Sequence, residues 1–170
     1  MRRRLLRLFG ALLVIALAAG LGLAARQWFG IVRISGTSMN DTLQDGDLVL
    51  FTRFDYRFGG LPGFGQVVEC RFPGRADTYV KRVIGLPGQS VALRGGTLTI
   101  DGRAVSEPYV SSEAEDYEIR LGEDAYLLLG DNRAESYDSR MADMGTVDRT
   151  ALLGRARLIL WPPERFGAVE

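Results

Sequence analysis

The hydrophobic residues of the chain fall into one long amino-terminal run and many short runs after it. The long run, residues 8–25, contains 18 residues without a charge. As a helix it would be about 27 Å long, enough to cross the hydrocarbon core of a bilayer. Four of the first seven residues are arginines, and Arg-rich flanks favour the cytoplasmic side. The pattern predicts a cytoplasmic segment over residues 1–7, a transmembrane anchor over 8–25 and an extracytoplasmic domain over 26–170.

A cleaved secretory signal is the alternative interpretation of this segment. Small residues near the end of the run, Gly-Leu-Ala at 22–24, resemble the residues after which secretory signals are cut. The run is longer than the apolar region of an ordinary secretory signal, which favours a retained anchor. Both interpretations place residues 26–170 outside the cytoplasm.

Beyond the anchor, short apolar runs alternate with glycine-rich turns. This spacing is typical of antiparallel β-structure, and no later segment has the period of a long amphipathic helix. Residues 103–124 are polar and acidic and are predicted to form a surface excursion. The fold class is therefore mostly β, a small barrel or sandwich behind one amino-terminal transmembrane helix. The predicted strands are residues 48–52, 67–72, 78–84, 91–93, 97–100, 125–129 and 152–161.

The ionisable residues exclude several kinds of site. The chain has no histidine and a single cysteine, Cys70, which excludes Ser-His-Asp and Cys-His catalysis, histidine-ligated metals and an intrachain disulfide. The carboxylates lack metal-ligand spacing, so we expect no metal and no other cofactor. Five of the 21 basic residues lie in the first 26 positions, which leaves 16 basic and 21 acidic residues beyond them. That acidic balance suits a soluble ectodomain and argues against nucleic acid as a partner.

Lys81 is the only lysine, beside 20 arginines. Arginine stays protonated in proteins, whereas lysine can lose its proton, so Lys81 is the only candidate for a neutral nitrogen base. A serine hydroxyl becomes an effective nucleophile when a base takes its proton. The pKa of the base must then lie below the lysine reference of about 10.4, and burial among Tyr79, Val80, Val83 and Ile84 would lower it.

Three segments carry most of the candidate chemistry. Residues 35–43 read SGTSMNDTL, residues 79–88 read YVKRVIGLPG, and residues 130–140 read GDNRAESYDSR. They resemble the motifs S-G-x-S-M-x-P-T-L, Y-V-K-R-V-I-G-L-P-G and G-D-N-R-x-x-S-x-D-S-R of type I signal peptidases, the membrane-anchored Ser-Lys proteases that remove signal peptides from exported proteins. The three segments have the family's order and spacing behind an anchor, and the resemblance covers nearly the whole chain.

The resemblance implies a role for each matched residue. Ser38 would be the nucleophile, and its backbone N–H would donate to the developing oxyanion. Lys81 would be the general base, and Ser136 would hydrogen-bond Lys81 and orient its amine. Asp138 and Arg140 would form a structural ion pair near the site, with an ordinary surface salt bridge worth under about 1 kcal/mol as the alternative.

The resemblance also implies a substrate pocket, partners and a location. Val32, Ile34, Met39, Tyr79 and Val80 match the family's pocket-lining positions, although ordinary core packing would explain them as well. An extended peptide adds to an exposed strand edge with alternate side chains in pockets, and signal peptides carry small residues of the A-x-A type before the cut. The implied partners are signal peptides of exported preproteins and the lipid bilayer, and the implied location is the plasma membrane, single-pass with the catalytic domain outside.

The chain departs from the family pattern at four positions. Asp41 replaces the proline that follows the nucleophile, and Gln89 replaces a common aspartate. Gln66 follows Gly65 where Gly-Asp is frequent, and Glu135 stands where asparagine is common in one branch. Gly36, a glycine that many members share, lacks the serine hydroxyl that assists the oxyanion in some of them. None of them is Ser38 or Lys81, so the departures concern loop geometry more than the type of reaction.

Two other functions fit part of the pattern. A self-cleaving Ser-Lys repressor shares the catalytic core, but such proteins carry a DNA-binding domain and no anchor, and the chain has neither the length nor the charge for one. A catalytically inactive, anchored β-domain that binds exported chains is the other alternative. The joint presence of Ser38, Lys81 and Ser136 argues against it.

Overall fold

The computed structural model describes the backbone of residues 2–170 and the side chains of all of these except 2–9, 11, 21, 24 and 57. In the described chain one long helix is followed by antiparallel strands, with one further α-helix of four residues and two 3-10 helices, Arg149–Ala151 and Pro163–Arg165. The mostly β prediction is confirmed. In chain order the elements are α1 (Arg2–Trp28), β1 (Phe29–Arg33), β2 (Leu48–Thr52), α2 (Phe54–Arg57), β3 (Val67–Cys70), β4 (Tyr79–Gly85), β5 (Ser90–Arg94), β6 (Thr97–Ile100), β7 (Arg103–Val105), β8 (Tyr117–Arg120), β9 (Leu127–Leu129), β10 (Leu152–Trp161) and β11 (Gly167–Ala168).

The larger sheet has seven strands in the order β1-β2-β10-β3-β4-β9, with β11 added to β10. Its end strands β1 and β9 do not pair with each other in the described chain, so the barrel alternative is wrong. The loops that follow these two strands meet instead, because Asn132 N donates to Ser38 O at 3.1 Å. The open end of the sheet therefore brings two of the motif segments together.

The smaller sheet has four strands in the order β7-β6-β5-β8. Two of them, β7 and β8, lie within residues 103–124, so the excursion predicted there is in part regular structure. An apolar cluster joins the smaller sheet to β4 and β9, which fixes the position of the strand that carries Lys81. The cluster consists of Ile84, Val91, Leu93, Leu98, Leu121, Leu127 and Leu129.

The helix α1 contains the predicted anchor, residues 8–25, and continues to Trp28, directly before β1. Positions 8, 9, 11, 21 and 24 of the anchor lie outside the described side chains. Among the helices and residues described, none is both long enough and apolar enough to cross a membrane.

Candidate active site

The open end of the larger sheet brings Ser38 and Lys81 together. Ser38 lies in the loop between β1 and β2, and Lys81 is the third residue of β4. The Lys81 Nζ atom lies 2.7 Å from Ser38 Oγ. Lys81 pairs with Val68 of β3, while β9 pairs with β4 only from Arg82 onward. One edge of β4 is thus unpaired at residues 79–81, where the Ser38 loop approaches it.

Burial controls the protonation of Lys81. The residue is 3% exposed, and burial lowers its pKa below the ordinary lysine value, because a charged ammonium loses hydration in the interior. The carboxylate of Asp138 opposes this shift, and the guanidinium of Arg140 adds to it. A charged Lys81 donates to Ser38 Oγ, whereas a neutral Lys81 accepts the Ser38 hydroxyl proton across the same 2.7 Å. The second arrangement prepares the serine for nucleophilic attack.

Ser136 does not hydrogen-bond Lys81, so the expected Ser136–Lys81 contact is wrong for this conformation. The Ser136 residue is 5% exposed, and its Oγ has no partner at hydrogen-bonding geometry among the described atoms. It is close enough to the Asp138 carboxylate to help lower the pKa of that group. The Lys81 amine is directed to Ser38 Oγ instead, and the orientation of Lys81 therefore comes from its strand and from Ser38.

Asp138 and Arg140 form a buried, bidentate ion pair. Arg140 Nε donates to Asp138 Oδ1 at 2.8 Å, and Arg140 Nη2 donates to Asp138 Oδ2 at 2.9 Å. Burial by itself would raise the pKa of Asp138, but the hydrogen bonds and the charge of Arg140 outweigh it and hold that pKa below its ordinary value. Asp138 Oδ2 also accepts from Gly130 N at 3.0 Å. The pair therefore braces residues 130–140 near Lys81, and the surface salt bridge is excluded.

Gly130 is a site residue that sequence reasoning did not single out. A Cβ atom at this position would lie closer than 3.0 Å to Ser136 Oγ and to the backbone oxygen of Ser38. The backbone directly after β9 thus packs against the Ser38 backbone, and only glycine fits there without a shift of the loop.

Arg82 is a second residue that sequence reasoning did not assign. It is fully buried beside the base, and its Nε and Nη2 atoms donate to Asp131 at 2.8 and 2.7 Å. Nη2 also donates to Thr42 Oγ1 at 2.9 Å, and Thr42 Oγ1 donates to Asp131 Oδ2 at 2.6 Å. A buried charge is tolerated where its hydrogen-bond donors or acceptors are satisfied, as those of Arg82 are here. The network also connects Thr42, in the Ser38 loop, to Asp131, in residues 130–140. The only sequence signal was a second charged residue, directly after Lys81, within an apolar strand.

A cleft of about 280 Å³ opens beside the dyad, between the end of β1 and the unpaired edge of β4. Both Ser38 and Lys81 line it. All five residues predicted to form the substrate pocket lie on its walls, so the structure brings them together with the dyad. They are Val32, Ile34, Met39, Tyr79 and Val80.

The position that departs from the family's proline has an unusual backbone. Asp41 has φ +80°, in the left-handed region that few residues other than glycine, asparagine and aspartate adopt. Proline fixes φ near −65° and cannot adopt this conformation. The loop after Ser38 is therefore built for a residue other than proline.

We expect Asp41→Pro to be destabilising although it restores the family's residue. The loop must change conformation or store strain, which costs about 1–3 kcal/mol of unfolding free energy. Asp41→Gly, which accepts a positive φ, serves as the matched control and should retain both stability and activity. Denaturant unfolding of the three proteins measures the difference. Equal stability of Asp41→Pro and wild type would show that the loop does not need the left-handed conformation.

The arrangement offers no evident metal-ligand cluster, because no three Asp, Glu or Cys side chains among the described residues lie together in a suitable group. The available chemistry is a serine hydroxyl, a buried amine and backbone N–H donors. This combination suits acyl transfer by a serine nucleophile.

Comparisons with a family model, with curated proteins and with solved structures all match signal peptidases. The model of the family described as "Signal peptidase, peptidase S26" matches residues 3–161. The chain is 36% identical to a probable signal peptidase I-2 of Synechocystis over 79% of its length, and it spans 64% of that protein, less than two thirds. It is 35% identical to signal peptidase I of Bacillus licheniformis, with 76% of this chain and 75% of that protein covered. A signal peptidase I crystal structure from Enterococcus faecalis matches with a TM-score of 0.50 and 31% identity, over 56% of this chain and 96% of that one.

Proposed function

Because the chain belongs to the signal peptidase family, peptidase S26, we propose that it is a membrane-anchored serine endopeptidase that removes N-terminal signal peptides from exported preproteins. Ser38 is the nucleophile and neutral Lys81 is the general base. The observation that carries the proposal is the 2.7 Å contact between Lys81 Nζ and Ser38 Oγ at the floor of a cleft. An inactive binding domain would have no need of a buried lysine held against a serine.

The reaction follows from this contact. The neutral amine of Lys81 takes the Ser38 proton as Oγ attacks the carbonyl carbon of the scissile bond. The backbone N–H of Ser38 donates to the oxyanion that forms. Lys81, now an ammonium, passes its proton to the leaving amine as the scissile C–N bond breaks. The mature chain departs with a free amino terminus, and the signal peptide stays bound to Ser38 Oγ as an ester. The again neutral Lys81 then deprotonates a water molecule, which attacks the ester carbon. The bond from that carbon to Ser38 Oγ breaks, Lys81 returns the proton to Oγ, and the signal peptide leaves as a carboxylic acid.

The lining of the cleft and the free strand edge beside it support recognition of an extended peptide with small side chains. An extended signal peptide can hydrogen-bond to the free edge of β4 at residues 79–81 and to the end of β1, with alternate side chains directed into the cleft. Ile34 and Met39 are buried and narrow the space beside Ser38. The cleft of about 280 Å³ would be shared by several residues of the substrate, and we expect alanine-sized residues at the first and third positions before the cut.

The function is tested by incubating the purified full-length protein with a preprotein whose signal peptide ends in Ala-x-Ala. We expect a single cut after the second alanine, identified from the masses of both products, with a chelator present. The matched substrate has leucine in place of that alanine and should be cut at least about tenfold more slowly, because three extra carbon atoms must fit beside the buried Ile34 and Met39. Equal cleavage of both substrates, or cleavage elsewhere in the chain, would contradict the proposed specificity.

Membrane anchoring by residues 8–25 is the second part of the proposal. Six apolar side chains on the described part of α1 are more than half exposed. An exposed apolar surface of this kind is typical of a segment that contacts lipid or another protein. Arginine-rich residues 1–7 favour a cytoplasmic amino terminus. These side chains are Leu12, Leu13, Val14, Ile15, Leu17 and Leu23.

The orientation leads to a further expected result. A protease added to intact, right-side-out cells should reach an epitope placed after Glu170, because residues 26–170 lie outside. An epitope placed before Arg2 should be cut only after the membrane is permeabilised. Protection of the carboxy-terminal epitope in intact cells would overturn the orientation.

A further inference from the structure

A basic pocket lies at the end of the larger sheet where α1 joins the domain. Its volume is about 700 Å³, and three arginines stand on its walls. Glu69 is the only acidic residue among its lining residues, so the pocket has a net charge of +2. This excess contrasts with the acidic balance of the chain beyond residue 26. We name it the arginine pocket, and its lining residues are Arg53, Tyr56, Glu69, Arg71, Thr78, Arg149, Thr150, Leu152 and Leu153.

Two of the three arginines have unused hydrogen-bond donors. Arg53 Nε is buried and has no partner among the described atoms, and Arg53 Nη2 reaches Glu69 Oε2 only at 3.5 Å. Arg71 is exposed, and no side-chain partner is present for its guanidinium in the described structure. Arg149 is engaged with the backbone oxygens of Tyr56 and Gly60. A buried donor without a partner costs free energy, so the pocket is suited to an acceptor from outside the protein.

The pocket lies beside the carboxy-terminal end of α1. Arg53 N donates to Trp28 O, the last residue of the helix, at 2.8 Å. Arg53 also lines a neighbouring cleft with Ala25 and Arg26 of the helix. Trp28 stacks on Phe58 with ring centroids 5.3 Å apart, and Phe58 is 77% exposed. Exposed aromatic rings next to the end of a spanning helix occur at the level of lipid headgroups.

We propose that the arginine pocket binds the phosphate group of an anionic phospholipid headgroup, held mainly by Arg53 and Arg71. The inference rests on the proposed function in one respect, namely that α1 is the membrane anchor. Guanidinium groups match the oxygens of a phosphate in geometry and charge and form short, charge-assisted hydrogen bonds with them. The buried Arg53 Nε donor is satisfied by such an oxygen.

The site has a consequence for the dyad. Thr78 lines both the arginine pocket and the cleft that contains Ser38. A headgroup in the pocket would therefore fix the height of the substrate cleft above the bilayer surface. That places the scissile bond of a membrane-bound signal peptide near Ser38.

The test measures the thermal unfolding midpoint of the full-length protein in a nonionic detergent. The probes are dihexanoyl-phosphatidylglycerol, dihexanoyl-phosphatidylcholine and inorganic phosphate at equal concentrations. At roughly tenfold excess over Kd we expect phosphatidylglycerol to raise Tm by about 3–5 °C. The zwitterionic lipid and inorganic phosphate should give clearly smaller shifts.

The variants separate the pocket from general charge effects. Arg71→Gln, which removes an exposed donor, should lose most of the shift, and Arg53→Gln should lose it as well. Arg103→Gln, on the exposed strand β7 of the other sheet, removes the same charge and should keep the full shift. Each variant is compared with its own ligand-free Tm, so a less stable protein remains informative.

A shift that persists in both pocket variants would overturn the site. An equal shift with inorganic phosphate and with phosphatidylglycerol would overturn the lipid headgroup as the ligand. Because the readout is unfolding and not cleavage, failure of this inference leaves the proposed peptidase reaction untouched, and an inactive enzyme that shows the lipid shift would contradict only the proposed reaction.

Discussion

Replacing Lys81 by methionine or arginine should abolish cleavage of a preprotein and leave the fold intact. No other lysine and no histidine is present to take the Ser38 proton. Methionine has similar length and no ionisable nitrogen, and arginine remains protonated. Ser38→Ala should have the same effect. When residues act as one catalytic unit, removing one of them lowers kcat about as much as removing all of them. We expect kcat to fall by about 10⁴-fold or more in each case.

The stability of Lys81→Met separates loss of chemistry from loss of fold. Lys81 is buried, and an apolar side chain there avoids the cost of desolvating an amine. The Tm of Lys81→Met should therefore equal or exceed that of the wild type. Arg103→Lys, an exchange of one exposed cation for another on β7, is the control and should retain full activity. Near wild-type cleavage by Lys81→Met would refute the dyad.

Gly130→Ala should reduce kcat by about 100-fold or more. The added Cβ would lie closer than 3.0 Å to Ser136 Oγ and Ser38 O, and Ser38 O belongs to the backbone, which cannot rotate away. The nucleophile loop must therefore move, and a displacement of about 1 Å at a reacting centre can cost 10²-fold in rate. The effect should appear in kcat more than in KM, because Gly130 does not line the substrate cleft.

Gly122→Ala is the matched control for this substitution. It introduces the same methyl group at an exposed glycine where the nearest atom, Ala125 Cβ, is 4.0 Å away. Its kinetics should be those of the wild type. If Gly130→Ala also retained the wild-type kcat, close packing of Gly130 against the Ser38 backbone would have no catalytic importance.

Strands with strong patterns could be predicted from the sequence, and weaker ones could not. Residues 48–52 and 152–161 were predicted with the bounds of β2 and β10, because long apolar runs between turn residues identify strands well. β1 was missed because it follows the helix without a turn residue. β8 was missed because its apolar residues alternate with Glu118 and Arg120 inside an acidic stretch, and its pairing with β5 decides its conformation.

Some residues of the candidate site could be predicted from the sequence, and others could not. Ser38 and Lys81 could be paired from the sequence, because one lysine and a motif serine left few alternatives. The network around Arg82 could not, since its partners Thr42 and Asp131 lie 40 and 49 positions away. The Ser136 contact was wrong because the direction of a side-chain hydroxyl depends on neighbours such as Asp138 that only the folded chain defines.

The pH dependence of kcat/KM on a signal-peptide substrate tests the central claim most directly. Burial disfavours the ammonium form and lowers the pKa of Lys81, so the neutral, reactive form appears at a lower pH than for an exposed lysine. We predict a rate that rises with pH through one ionisation below the lysine reference of about 10.4, with no step near the histidine value of about 6.5. A profile that stays flat from about pH 6 to about pH 10, with chemistry shown to limit the rate, would contradict a lysine general base.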